Sequence, residues 1–136
     1  MRIRRLIAIL TGIWLTTAPL ASPFAQVMLP DGKYATVGAY LAGAWTWHDA
    51  NRNEDVRMVF GPGDALQYDN LTSGVRLYGK YAVLPDSNLR LTLSRTCDKN
   101  GAQCQNRAEP LIVVDKVTPV SANVFTSNGE QWKRAR

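Results

Sequence analysis

His48 is the only histidine in the 136-residue chain, so a Ser-His-Asp arrangement or an imidazole-based metal site would have to be built on it. It stands between Trp47 and the polar run Asp49-Ala50-Asn51-Arg52-Asn53. General-base work also needs a nucleophile and an orienting partner. No such set accompanies His48, and a solvated loop histidine is the expectation. Asp49, Asn51 and Asn53 occupy the first, third and fifth positions of a calcium-loop pattern. The pattern then fails, with Glu54 where the sharp turn wants glycine and Phe60 where the bidentate glutamate belongs. Asx-rich stretches of this kind cap their own backbone in turns. No glycine-rich phosphate loop is present. These residues imply no metal, no cofactor and no enzymatic activity.

Cys97 and Cys104 are the only two cysteines. The residues between them are too many for a C-x-x-C redox pair, and no second ligand pair exists to complete a zinc site. A structural disulfide is expected, contributing about 2.5 kcal/mol in the chain-entropy model.

The aromatic residues are more informative. Trp45, Trp47, Phe60, Tyr68 and Tyr81 all fall on strand faces that alternation assigns inward. They either fill the interior or line a cavity, and in the second case Trp47, Tyr68 and Tyr81 form the ligand-contacting set. On the outward face, Arg76, Tyr78 and Lys80 share one expected strand, and Arg90 lies on its hairpin partner. This basic patch either meets an anionic polymer or acidic protein, or simply keeps that face solvated.

The elements that must position these residues are short and closely spaced. Apolar alternation marks Leu41 to Trp47, Val56 to Phe60, Leu66 to Tyr68, Val75 to Val83 and Leu89 to Leu93 as strands. Gly61-Pro62-Gly63-Asp64, Asn70 to Gly74 and Pro85-Asp86-Ser87-Asn88 separate them. Leu111 to Val117 is β-branched and largely apolar, and Ser127-Asn128-Gly129 is a hairpin signature between Asn123–Thr126 and Gln131–Arg134. About eight antiparallel strands result, with one face buried and the other wet. The fold class is therefore all-β, most economically an up-and-down barrel that leaves no edge, with a two-sheet sandwich as the alternative.

The amino end carries an export signal. Met1-Arg2-Ile3-Arg4-Arg5 is a basic n-region, Leu6 to Leu15 an apolar h-region, and small residues with proline run on to Ala25. The apolar run is shorter than the ~20 residues that span a bilayer, which reads as a cleavable signal over 1–25. Cleavage after Ala21 and after Ala25 are both compatible with it. No cysteine stands nearby to carry a lipid, so no stable membrane anchor is expected. Losing Arg2, Arg4 and Arg5 lowers the formal charge from +5 to 5 − 3 = +2. So small a charge gives no basic footprint for nucleic acid. Residues 26–39 read as a lead-in segment, and 40–136 as one domain.

Leu41-Ala42-Gly43-Ala44-Trp45, opening a meander of about eight strands, resembles the G-x-W start of lipocalin-like, calycin-type barrels. The likeness is to the small bacterial members, without the T-D-Y stretch of larger lipocalins. It implies that Trp45 packs across the closed end of the barrel and that Arg134, late in the chain, lies over it. The leading functional expectation is an exported, non-enzymatic binding module of the bacterial envelope, periplasmic or secreted, that takes a small apolar ligand or an envelope protein at the barrel mouth or an outer face. The alternative is a periplasmic inhibitor or immunity-type protein that blocks a partner enzyme through a loop such as Asp98 to Gln103.

Overall fold

The computed structural model describes residues 26–29, 34–98 and 101–136. The signal stretch 1–25, the Pro30-Asp31-Gly32 turn and Asn100 lie outside the described residues. The chain is all-β. A two-stranded ladder of β1 (Gln26–Met28) and β2 (Tyr34–Thr36) precedes one short helix, α1 (Val37–Leu41). Thr36 caps that helix, its Oγ1 accepting from the Ala39 N–H at 3.1 Å.

A nine-stranded antiparallel sheet follows. Its strands are β3 (Gly43–Asp49), β4 (Glu54–Phe60), β5 (Ala65–Asn70), β6 (Arg76–Val83), β7 (Asn88–Asp98), β8 (Gln103–Lys116), β9 (Thr118–Ser121), β10 (Val124–Ser127) and β11 (Glu130–Arg134). Asn128 and Gly129, both at positive φ (52° and 75°), form the tight turn between β10 and β11 that the sequence signature calls for. The strand expected from Leu41 starts instead at Gly43, because Leu41 closes α1. Gly43 has φ +106°, a conformation that suits glycine and lets the chain swing from helix into strand.

The order across the sheet is β8-β7-β6-β5-β4-β3-β11-β10-β9. The expected closed barrel is therefore corrected to an open sheet, and the sandwich alternative to a single sheet. The chain passes straight from β8 to β9, yet changes partners there: β8 pairs with β7 as far as Lys116, and β9 pairs with β10 from Thr118. Val117, buried at the bend, donates its N–H to Ser87 O at 3.0 Å. Among the described residues, the far side of β8 has no partner strand. The sheet still wraps round one interior, since Val113 of β8 packs on the same cluster as Phe125 of β10 and Trp132 of β11.

Strand β8 is longer than the apolar run Leu111–Val117 suggests. Its first half pairs with β7 up to Asn106↔Arg95, and pairing resumes at Leu111↔Leu93. Arg107 to Pro110 bulge out between these points, and a bulge that size breaks the alternation a strand would show. A second irregularity lies at Tyr78/Gly79. A Cβ on Gly79 would come within 1.8 Å of Thr92 O, so only glycine allows β6 and β7 this approach.

Cys97 and Cys104 are direct cross-strand partners on β7 and β8, joined by a disulfide with Cα atoms 4.0 Å apart. A disulfide of this kind persists in a non-reducing environment. Among the described residues, no helix is long and apolar enough to cross a membrane.

Candidate functional site

An aromatic column runs through the interior. Tyr40 of α1 meets Trp45 of β3 at 5.5 Å between ring centroids, and Trp45 meets Phe125 edge-on at 4.7 Å. Phe125 stacks with Trp132 at 6.2 Å, and Trp132 meets Trp47 at 5.7 Å. Two-residue alternation explains the set: Trp45 and Trp47 share the inner face of β3, as Glu130, Trp132 and Arg134 share that of β11.

One end of this column is sealed by α1. Trp45 is fully buried, and its indole N–H donates to Leu41 O at 2.8 Å. The Arg134 guanidinium lies 4.2 Å from the Trp45 ring centroid, the arrangement that the lipocalin-like resemblance implies. It also donates to Tyr40 O (2.9 Å), Ala42 O (3.0 Å) and Ala122 O (3.1 Å). The Tyr40 hydroxyl reaches Ser121 O and Val124 O at 2.8 and 2.9 Å. Burial pushes its pKa up to about 12, against a smaller opposing effect of Arg134.

The other end is open. A cavity of about 350 Å³ lies between the leucines of β7 (Leu89, Leu91, Leu93), Met58, Leu77, Leu111, Val113, Phe125 and Trp132. Its polar lining is confined to Tyr68, Asp115, Ser127, Asn128 and Glu130. Val113 and Asp115 come from β8, and Phe125 to Trp132 from the β10–β11 hairpin. β8 is an edge strand and exchanges no ladder pairing with β10 or β11, so the cavity lies against that unpaired edge. It shares Tyr68, Leu77, Asn128 and Glu130 with a wider mouth of about 790 Å³, which adds Trp47, Asp49, Arg52 and Glu54.

The electrostatics of this end are acidic. Burial, more than any charge, raises the Asp115 carboxyl above its ordinary range. Burial likewise raises Glu130, with the negative charges of Asp115 and Asp49 adding to it and a hydrogen bond from Trp132 opposing it. The Tyr68 hydroxyl is pushed up by burial first and then by Glu130, Glu54 and Asp49. Among the described residues, neither Asp115 nor Glu130 has a cation within salt-bridge distance.

The expected ligand set of Trp47, Tyr68 and Tyr81 is only partly brought together. Trp47 and Tyr68 line the mouth, and Tyr68 also the inner cavity. Tyr81 is corrected out of the set. It is buried against Phe60, edge-on at 5.0 Å, and is not part of the cavity wall. Alternation fixes which face Tyr81 occupies but not its height along the strand.

The outer basic patch is divided as well. Arg76 lies 3.6 Å from Asp69, a buried acid that also accepts from Gln67. Lys80 faces Asp64 at 3.8 Å, and Tyr78 lies under Arg95 with 6.0 Å to the ring centroid. Arg90 is exposed beside Lys80 in a shallow depression that also holds Asp64. Each acid removes a cation from what would be one face.

His48 Nδ1 lies 2.7 Å from Asp55 Oδ1 on the exposed surface. Asp49 Oδ1 accepts the N–H groups of Asn51 and Arg52 at 2.9 and 3.3 Å, an Asx turn of its own backbone.

Sequence reasoning missed Trp132, Asp115 and Glu130 as site residues. A signal was present, because counting by twos from Leu111 puts Asp115 on the face of Val113, and counting back from Arg134 puts Glu130 on that of Trp132. No family model, no curated protein and no solved structure matches the chain.

Proposed function

We propose that this protein is an exported, non-enzymatic binding module of the lipocalin-like kind, working in the periplasm or outside the cell and holding a small apolar ligand. The observation that carries this reading is the leucine-lined cavity against the unpaired edge of β8. Its volume of about 350 Å³ falls at the small end of the 300–1,000 Å³ typical of ligand pockets. Its walls are largely apolar, with a few polar groups gathered at one side, the usual division between affinity and orientation. The n-region and h-region of 1–25 and the disulfide between Cys97 and Cys104 support the location.

The test is direct binding. A small apolar alcohol such as 1-octanol should bind saturably and change tryptophan emission, since Trp132 lines the cavity. Leu91→Phe should fill the space and abolish binding while the protein still unfolds cooperatively. Retained binding in that variant would place the ligand elsewhere and overturn the reading.

A second reading, a blocker of a partner enzyme, draws support from the stapled β7–β8 hairpin. The disulfide joins the two strands one pair from the turn end of their ladder, and Gln103 to Pro110 are exposed along their whole length. A stable complex with an envelope enzyme, lost on replacing Gln103 or Gln105, would favour it.

A further inference from the structure

The geometry points to a cationic amphiphile as the ligand: an apolar chain or ring lying among the β7 leucines, with an amine or guanidine held between Asp115 and Glu130. This inference rests on the cavity reading above and names the chemistry of what the cavity takes.

One carboxylate stands on β8, an edge strand of the sheet, and the other on β11, and both line the same apolar cavity. Asp115 occupies the inward position that continues Leu111 and Val113, where a strand facing a core would carry another aliphatic residue. Strands break such a rule where a site needs it. Among the described residues no basic side chain reaches either acid, although Arg76 and Lys80 elsewhere on the sheet do face acids.

Other ligand chemistries fit less well. An anionic head group would meet like charge from Asp115 and Glu130 in the cavity and from Asp49 and Glu54 at the mouth, where Arg52 is the one cation of the lining. A neutral hydroxyl could donate to one carboxylate but would bring no charge to offset either of them. Calcium takes about 6–8 oxygen ligands, and among the described residues no group of three or more carboxylate, histidine or cysteine side chains is placed to hold a metal. An ammonium or guanidinium donates charge-assisted hydrogen bonds to both carboxylates, while its apolar part takes the leucine surface.

Three probes with one chain and different head groups decide the matter: octylamine, 1-octanol and octanoate, titrated at pH 7 and low salt by tryptophan emission and calorimetry. Octylamine should bind at least about tenfold tighter than 1-octanol, as charge-assisted hydrogen bonds require. Octanoate should bind weakest. In the Asp115→Asn/Glu130→Gln double variant, octylamine should fall to the level of 1-octanol while 1-octanol itself is unchanged. The single variants should each show part of that fall, which keeps the test open if the double variant is poorly produced. The preference should also shrink in 0.5 M salt.

Equal binding of octylamine and 1-octanol to the wild type would overturn the inference and leave the cavity reading standing. An amine preference that survives in the double variant would overturn it too, by placing the charge recognition elsewhere. Failure of all three probes would overturn the cavity reading itself, and this inference with it.

Discussion

The two ends of the interior draw on similar residues and differ in what their charges touch. At the end sealed by α1, Arg134 lies over a tryptophan and gives hydrogen bonds to three carbonyl groups. At the open end, Glu130 sits two residues from a tryptophan on the same strand face, and its nearest charged companions are acids. Arg134 ties α1, the start of β3 and the β9–β10 turn into one unit. Glu130 and Asp115 line one cavity, and the negative charge of Asp115 opposes the ionisation of Glu130. One end is organised for stability, and the other keeps an arrangement that stability alone would remove.

That contrast can be tested by breaking each end in turn. Trp45→Ala should give the largest effect, about 3–5 kcal/mol, because it removes a fully buried indole from contact with Tyr40, Phe125 and Arg134. Denaturant unfolding measures it, and an unchanged midpoint would mean that the sealed end does not hold the fold together. Arg134→Ala should cost about 1–2 kcal/mol, since three carbonyls, one of them part-buried, lose a charged donor. Arg134→Lys should recover only part of the loss, because an ammonium cannot reproduce the planar fork over the ring.

At the open end the sign reverses. Asp115 and Glu130 both have pKa values raised in the fold, chiefly by burial. Their protonated forms are therefore the ones that folding favours. The stability they allow is fully present below the ordinary carboxylate pKa and is lost as pH rises through the raised values. The Asp115→Asn/Glu130→Gln protein should accordingly be more stable than wild type at pH 7, and the difference should vanish near about pH 4. Thermal melts of both proteins across that range provide the check. A double variant less stable at pH 7 would mean that the acids act as structural partners.

The smallest effect is expected from Tyr68→Phe. Its hydroxyl is at the mouth and half-buried, so stability should change by no more than about 0.5 kcal/mol. A larger loss would show that the mouth also carries structural weight.

Much of the strand pattern was legible because two-residue alternation is a local property. Val56, Met58 and Phe60, or Leu89, Leu91 and Leu93, announce a buried face without reference to the rest of the chain. The β10–β11 turn was legible for the same reason, since Asn-Gly chemistry selects it. Closure was not. Whether the edge strands β8 and β9 meet depends on the bend at Val117 and on Ser87, thirty residues earlier in the sequence, which accepts from its N–H. The first half of β8 was hidden by the bulge at Arg107 to Pro110, and α1 was hidden because five residues are too few to show helical periodicity. Trp45 and Arg134 could be paired in advance from a family likeness. Trp132 and Asp115 could not, because their importance arises only when the sheet curls and brings β8 towards β11.

The unpaired side of β8 has a consequence for how the molecule exchanges hydrogen with its solvent. In an antiparallel ladder, successive N–H groups along a strand point alternately to the two sides. Strand β8 has a neighbour on one side only, so its amides should divide into two interleaved sets. Those directed at β7 lie within the ladder and exchange only when it opens, whereas those directed at the gap remain open to water within the same rigid strand. A deuterium-exchange profile of β8 should therefore read as a comb, slow and fast in alternation. Anything that lodges in the gap should fill in the fast teeth first.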